Sequence, residues 1–274
     1  MMSRKTKSRF LRILTWSAAA ITAAAVVFLL AHILIRGIPH LSPKLFAWNY
    51  TTENQSMLPA IINTVLMTLA TLLISVPLGV CTAIYLSEYA QRGSRLVKLI
   101  RITAETLSGI PSIIYGLFGF LMFVVGLKWQ YSFLAGTLTL AMMVLPLIIR
   151  TTEEALIAVP DSYREGSFGL GAGRMRTVFR IILPAAMPGV LSGVILSIGR
   201  IFGESAALIF TSGSAAKVVT GLFSSGRTLA VHMYCLLSEG LYTNQAYATA
   251  VVLLALVLGI NFLSARMVNK LNKE

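Results

Sequence analysis

Two residues of opposite charge, Arg200 and Glu204, lie four positions apart inside a stretch that is otherwise uncharged. No Asp, Glu, Lys or Arg occurs in residues 181–199 or in residues 205–216. Residues four apart on one helix share a face, so the spacing predicts that the two side chains can touch. A charge left alone in hydrocarbon costs several kcal/mol, so both side chains must face protein or a water-filled cavity.

The residues alone leave two interpretations of this pair open. In the first, Arg200 and Glu204 form a structural ion pair that locks their helix to a neighbour. In the second, Arg200 lies on the path of an anion, because a guanidinium is always charged and its donors fit oxyanion oxygens bidentately. Glu204 would then orient Arg200 and weaken its attraction, so that a passing anion is released.

The composition indicates an all-α integral membrane protein. Of the 274 residues, 56% are hydrophobic and only 12% are charged, and the mean hydropathy is +0.79. A soluble domain usually carries about twice that charged fraction. The net charge of +13 indicates basic loops against anionic lipid. It does not indicate nucleic-acid binding, because no basic run is interleaved with aromatic residues.

The sequence carries no signature of a catalytic, metal or cofactor site. The histidines are scattered without the spacing of metal ligands, and no GxxxxGK[ST] phosphate loop occurs. We therefore expect that this chain is not an enzyme and needs no cofactor. If the protein uses ATP, the ATPase is a separate chain.

Six charge-poor intervals predict six membrane spans, because a helix needs about 20 apolar residues to cross a bilayer. Placing the N-terminus in the cytoplasm puts 17 basic residues in inner segments and five in outer segments, so both termini are expected to be cytoplasmic. The first span, at 23 residues, is longer than a signal peptide's apolar region and is expected to be a retained anchor. The intervals are 13–35, 54–87, 106–127, 129–149, 181–216 and 240–265.

The longest inner segment, residues 150–189, has the pattern of a helical hairpin. Its sequence predicts one helix over 151–168, a break at three closely spaced glycines, and a second short helix that ends near Pro184. The middle glycine, Gly171, is expected to adopt a positive φ. A compact hairpin beneath the membrane is a rigid protrusion that a cytoplasmic partner can bind and move.

This hairpin resembles the cytoplasmic motif of permease subunits of binding-protein-dependent ABC importers. That motif reads E-A-A, three residues, Gly, nine residues, then I-x-L-P. Here Glu165 is followed by Gly166 and Ser167 at the two alanine positions, Gly171 has the required spacing, and residues 181–184 complete the pattern. The departures at the alanine positions keep small residues, which allow close approach to a partner surface.

The resemblance implies the fold of an ABC type I importer permease, with residues 1–57 as the N-terminal tail, first span and outer loop. Residues 58–274 are then a core of five spans that carries the hairpin at 150–189. In that family the hairpin docks in a groove of the ATPase, which implies a coupling role for the motif residues and for Arg174. A general positive-inside role for Arg174 and Arg176 remains open beside an ATPase contact.

Two further segments resemble the permeases of the phosphate-specific importer. They are residues 104–119, AETLSGIPSIIYGLFG, and residues 198–213, IGRIFGESAALIFTSG. Gly109, Pro111 and Gly116 break a simple helix, either for close packing or to line a cavity. The resemblance extends from about residue 58 to 270.

This second resemblance implies a permease in the bacterial plasma membrane that forms a path for inorganic phosphate, with Arg200 and Glu204 on that path. It also implies a sister permease (PstC), two copies of an ATPase (PstB) and an external phosphate-binding protein (PstS). The alternative is a permease for another oxyanion, such as molybdate or sulfate. An ion channel, a proton-coupled transporter and a purely structural membrane subunit are rival classes.

Overall fold

The computed structural model describes residues 4–91 and 93–271, and side chains within residues 11–91 and 93–266. The chain ends, for which the sequence predicts a cytoplasmic position, and Arg92 lie outside the described residues. All regular elements in the described ranges are helical. They are α1 (Arg4–Gly37), α2 (Leu58–Ile84), α3 (Arg95–Ser108), α4 (Ser112–Gly119), α5 (Phe133–Ile157), α6 (Asp161–Gly169), α7 (Arg174–Thr177), α8 (Leu183–Phe202), α9 (Ala206–Thr211), α10 (Leu229–Glu239) and α11 (Thr243–Leu271).

Short 3₁₀ and π turns extend several of these helices. The segment after α1 forms 3₁₀ turns at Ile38–His40 and Pro43–Phe46. Wider π turns continue α2 through Tyr85–Tyr89 and α4 through Phe120–Gly126. A third π turn, Val178–Ile182, joins α7 to α8.

Five helices in the described residues are long and apolar enough to cross a membrane, and a bent pair supplies a sixth span. The predicted number of spans is therefore confirmed when the bent pair is counted as one. The five are Leu11–His40, Leu58–Tyr89, Phe133–Ile157, Arg174–Phe202 and Thr243–Arg266; the bent pair is Arg95–Ser108 with Ser112–Gly126, at 103°.

The bend shows that the predicted start of the third span, at residue 106, is wrong. Pro111 disfavours helical geometry at Ile110, and the chain turns there between α3 and α4. Helix α3 carries charged residues on one side and exposed Leu96 and Leu99 on the other. This amphipathic pattern is typical of a helix at a membrane surface, so within the bent pair the apolar part of the span is Ser112–Gly126.

Helices α2, α5 and α8 form the centre of the bundle. Met67, Leu140 and Met143 are fully buried between them and belong to the largest apolar cluster. Close approach is achieved with small residues: a side chain at Gly79 would collide with Ile148, and one at Gly193 would collide with Thr151. Helix α1 packs along α11 at the edge of this core.

The helix boundaries predicted for residues 151–184 are wrong at both ends. Helix α5 runs through the inner end of its span to Ile157 and stops before Pro160, so the independent first arm of the hairpin is only α6. The second arm does not end near Pro184 but continues to Phe202. Pro184 lies just after the π turn, where widened hydrogen bonding accommodates its missing N–H.

Candidate functional site

Arg200 and Glu204 do not form the contact that their spacing predicts. Helix α8 ends at Phe202, so the two residues are not on one continuous helix. Both side chains are among those described, and no ion pair joins them. Glu204 instead accepts a hydrogen bond on Oε1 from the Ala207 amide, at 3.0 Å. It therefore caps α9, with only 7% of its surface exposed.

Arg200 is half-buried in the last turn of α8. The partial negative charge at a helix C-terminus favours a cation there. Among the described side chains, none forms a hydrogen bond or ion pair with the Arg200 guanidinium. Its N–H donors are therefore available to a ligand or to another chain.

Helix α4 packs directly on α9, which holds Glu204 in place. A side chain at Gly116 would collide with the Ala207 backbone, and one at Gly119 would collide with Thr139 and Thr211. Of the two roles left open for these small residues, close helix packing is the one found at Gly116. At the bend, the Tyr115 hydroxyl donates to the Leu107 carbonyl at 2.8 Å.

The turn of the hairpin has the backbone that the sequence predicts. Gly171 adopts φ +78°, which glycine tolerates at little cost. The Gly171 amide donates to the Phe168 carbonyl at 2.9 Å, and the Ala172 amide donates to the Ser167 carbonyl at 3.1 Å. These bonds close the end of α6.

The two small residues at the alanine positions of the motif have different surroundings. Ser167 is buried, and its hydroxyl lies 2.8 Å from the Thr177 hydroxyl, so it joins the two arms of the hairpin. Its small size therefore serves the hairpin's own packing and not an outer surface. Gly166 is exposed, with open space around it.

An ion pair that the sequence analysis missed fixes α6 to the end of α2. Nη2 of Arg164 lies 2.6 Å from Oε1 of Glu88, and both side chains are largely buried. The same guanidinium donates to the carbonyls of Val159 at 2.8 Å and Leu156 at 3.0 Å. The Glu88 hydrogen bond is the main reason why the pKa of Arg164 is raised.

The sequence offered a partial signal for this pair. Glu88 is an acidic residue at the end of a span, and Arg164 directly precedes Glu165. Nothing local shows that two residues 76 positions apart meet. A second contact joins the same elements: Arg174 lies over the Tyr89 ring, 5.5 Å from its centroid.

The exposed surface of the hairpin combines large apolar side chains with charged ones, among them Glu165, Arg174 and Arg176. Leu170 is 90% exposed and Met175 is 69% exposed, which is unusual for large apolar side chains on a protein surface. Glu165 is also exposed, and no described residue pairs with it. These features are typical of a surface that docks on a partner.

A bundle of membrane helices that holds such a hairpin rigidly at one end defines a membrane permease subunit. The chain belongs to the family of binding-protein-dependent transport system inner membrane components, whose sequence pattern matches residues 75–273.

Curated relatives cover most of the chain. It is 34% identical to the probable ABC transporter permease protein YqgI of Bacillus subtilis, over 88% of this chain and 86% of that protein. It is 30% identical to the phosphate transport system permease protein PstA of Mycobacterium leprae, over 96% of this chain and 88% of that protein. The PstA protein of Haemophilus influenzae is 32% identical, with coverage of 94% and 92%.

Solved structures show the same fold at lower identity. A chain of a bacterial alginate ABC transporter aligns with a TM-score of 0.65 at 16% identity, over 92% of this chain and 95% of that chain. A chain of the inward-facing MetNI methionine ABC transporter aligns with a TM-score of 0.60 at 21% identity, over 78% and 94%. The expected fold of an ABC importer permease is confirmed.

Proposed function

We propose that this chain is a permease subunit of an ATP-driven importer and forms, with a sister permease, the membrane path for inorganic phosphate. The observation that carries the proposal is its likeness, over nearly its whole length, to proteins named phosphate transport system permease PstA. The half-buried guanidinium of Arg200, unpaired among the described side chains, supports it. We take residues 58–274 as the permease core.

The hairpin supports the assignment of ATP hydrolysis and transport to different chains. Two copies of a separate ATPase (PstB) hydrolyse ATP, and this chain performs no catalysis. Glu165, Gly166 and the Gly171 turn contact the ATPase, while Arg174 is occupied in part by Tyr89. Ser167 supports this contact from inside the hairpin. When the ATPases close, α6 moves, and the Arg164–Glu88 pair passes that motion to α2 and its neighbours.

Phosphate follows a path past Arg200. An external phosphate-binding protein (PstS) delivers the anion, and the Arg200 fork binds two of its oxygens. The sister permease (PstC) supplies the other wall of the path. Glu204 contributes by holding α9 in place beside Arg200, rather than by pairing with it.

Uptake by cells that lack this chain tests the substrate. Cells complemented with the wild-type chain are given labelled phosphate, sulfate or molybdate. We expect restored uptake of phosphate alone. Restored uptake of molybdate or sulfate in place of phosphate would assign another oxyanion, and flux without ATP would indicate a channel.

Accessible tags test the orientation. Tags before Met1 and after Glu274 should be reached only from the cytoplasm, together with the hairpin. A tag near Gly213 should be reached from outside. The opposite pattern would overturn the proposed placement of the hairpin beside a cytoplasmic ATPase.

A further inference from the structure

A buried cation lies at the end of the bundle opposite the hairpin. Arg227 precedes α10 and is only 5% exposed. Its Nε and Nη2 atoms are buried and have no hydrogen-bond partner among the described residues. No described carboxylate forms an ion pair with it. A buried charge of this kind is unfavourable unless a group of opposite charge binds it.

The backbone holds Arg227 firmly, so its position is specified by the fold. Its amide donates to the Ala215 carbonyl at 3.0 Å. Its own carbonyl accepts from Nδ2 of Asn63 at 3.1 Å. Asn63 also donates from Nδ2 to the Lys217 carbonyl and accepts on Oδ1 from the Val219 amide, each at 2.9 Å. One buried amide on α2 thus organises the loop that presents the guanidinium.

The described side chains that contact this guanidinium or the ring beside it are neutral aromatic ones. The guanidinium carbon lies 4.6 Å from the centroid of the Tyr50 ring. The His232 ring meets the same tyrosine edge-on at 6.2 Å. His232 is fully buried with the Gln55 backbone close to its ring, and neither its ring nitrogens nor the Thr228 hydroxyl form a hydrogen bond of standard geometry among the described residues.

Stacking on an aromatic ring does not account for the burial of this charge. A cation–π contact stabilises a guanidinium by much less than the removal of a full charge from water costs. Nε and Nη2 form one edge of the planar fork, the edge that matches two oxygens of an oxyanion. Both atoms of that edge are left free among the described residues. The geometry therefore suits an anion that accepts two parallel hydrogen bonds.

We propose that Arg227, with Thr228 and His232 beside it, forms a binding site for a tetrahedral oxyanion, separate from Arg200. The site deepens the proposed function and rests on it, because phosphate is the anion that we assign to it. It lies on the outer side of the path when the hairpin is cytoplasmic. Phosphate released outside meets this site before it reaches Arg200.

Tyr50 lies against the guanidinium of this site. Tyr50 is half-buried, and its hydroxyl donates to Oε1 of Gln55 at 2.7 Å. Gln55 itself is buried and has φ +46°, which is uncommon outside glycine. Because Arg227 is only 5% exposed, a neighbouring side chain has to move for an anion to bind, and the half-buried Tyr50 ring that contacts the guanidinium is the candidate.

Binding of labelled phosphate to the purified complex tests the site. The complex is prepared without its external binding protein, in four forms: wild type, Arg227→Met, Arg200→Gln and Lys217→Gln. Lys217 is an exposed cation of the same loop, so its variant controls for general electrostatic attraction. We expect Arg227→Met to weaken phosphate binding at least tenfold, Lys217→Gln to leave it unchanged, and Arg200→Gln to retain binding at the outer site.

Thermal unfolding of the complex in the absence of phosphate is the second measurement of this test. If Arg227 awaits an anion, Arg227→Met removes an unpaired buried charge and should not lower the unfolding midpoint. Unchanged phosphate binding by Arg227→Met would overturn the proposal. A midpoint lowered in phosphate-free buffer by more than the loss of the Tyr50 contact accounts for would also overturn it, because the cation would then be paired by a carboxylate of another chain. Import of labelled phosphate by the wild-type complex, with its external binding protein added back, separates these outcomes from failure of the proposed function.

Discussion

Arg164 on the hairpin helix α6 and Glu88 at the end of α2 form an ion pair, with 2.6 Å between Nη2 and Oε1. The two side chains are 17% and 8% exposed, so water screens the pair poorly. The same guanidinium also donates to the carbonyls of Leu156, in α5, and of Val159, so one side chain of α6 contacts both α2 and the end of α5. This contact links the first arm of the hairpin to α2, a membrane helix to which the chain does not join it directly.

Breaking this link should uncouple ATP hydrolysis from transport. Removing one partner of a buried pair typically costs up to about 3–5 kcal/mol, and the one acid that still pairs with Arg164 among the described residues is the exposed Asp161, at 3.1 Å. We expect Glu88→Gln to reduce uptake at least tenfold per ATP hydrolysed, as measured in proteoliposomes. The control is Glu154→Gln, since the Arg150–Glu154 pair is more than half exposed on both sides and should contribute less than about 1 kcal/mol. Equal coupling ratios in the two variants would contradict the prediction.

Gly171 should tolerate no branched side chain. Its φ of +78° is unfavourable for other residues, and the strain is on the order of 1–2 kcal/mol. Gly171→Val should therefore distort the turn and reduce uptake, while the chain still inserts into the membrane. Gly173→Ala is the matched control, because Gly173 has φ −73° and open space around it. Normal uptake and ATPase assembly in Gly171→Val would show that the turn is not needed.

Arg200 and Glu204 should respond differently to substitution, because they are not paired. Arg200→Lys keeps a charge but loses the planar fork, so phosphate uptake should fall at least tenfold with the complex intact. Glu204→Gln keeps an oxygen that can cap α9 and should be mild. Glu204→Ala loses the cap, at about 1 kcal/mol. Uptake assays and thermal unfolding of all three variants check these expected effects. An Arg200–Glu204 ion pair would instead make Glu204→Gln as harmful as the loss of Arg200.

His232 should make the protein sensitive to acid. Burial, and secondarily the charge of Arg227, lower its pKa from 6.5 to about 3. As the pH falls, His232 is protonated in the unfolded chain at a higher pH than in the folded one. The contribution of neutral His232 to the free energy of unfolding is therefore complete above about pH 6.5 and is lost as the pH falls towards 3. At pH 5 the loss is about 2 kcal/mol.

Unfolding midpoints measured between pH 7 and pH 5 check this prediction. The wild-type midpoint should fall, and His232→Gln should remove that part of the fall. His40→Gln, at an exposed histidine, serves as the control and should behave as the wild type. An identical pH dependence in His232→Gln would show that another group is responsible.

The sequence by itself determined the features that depend on local composition. Charge-free intervals placed most spans correctly, since each apolar run must enter the membrane wherever it packs. The spacing from Glu165 to Pro184 located the hairpin, and Gly171 revealed a turn that needs a positive φ. These features follow from the partition of side chains and from backbone sterics, which need no knowledge of distant neighbours.

Only the tertiary structure decided which charges meet. The break after Phe202 removed Glu204 from the helix face that carries Arg200. Successive helical residues are rotated by about 100°, so a contact between side chains four residues apart depends on an unbroken helix. Glu88 and Arg164 meet across 76 residues, and Arg227 is buried by a loop that Asn63 of α2 holds. Such pairings depend on how helices pack, and close packing is a property of the whole bundle that no local stretch of sequence contains.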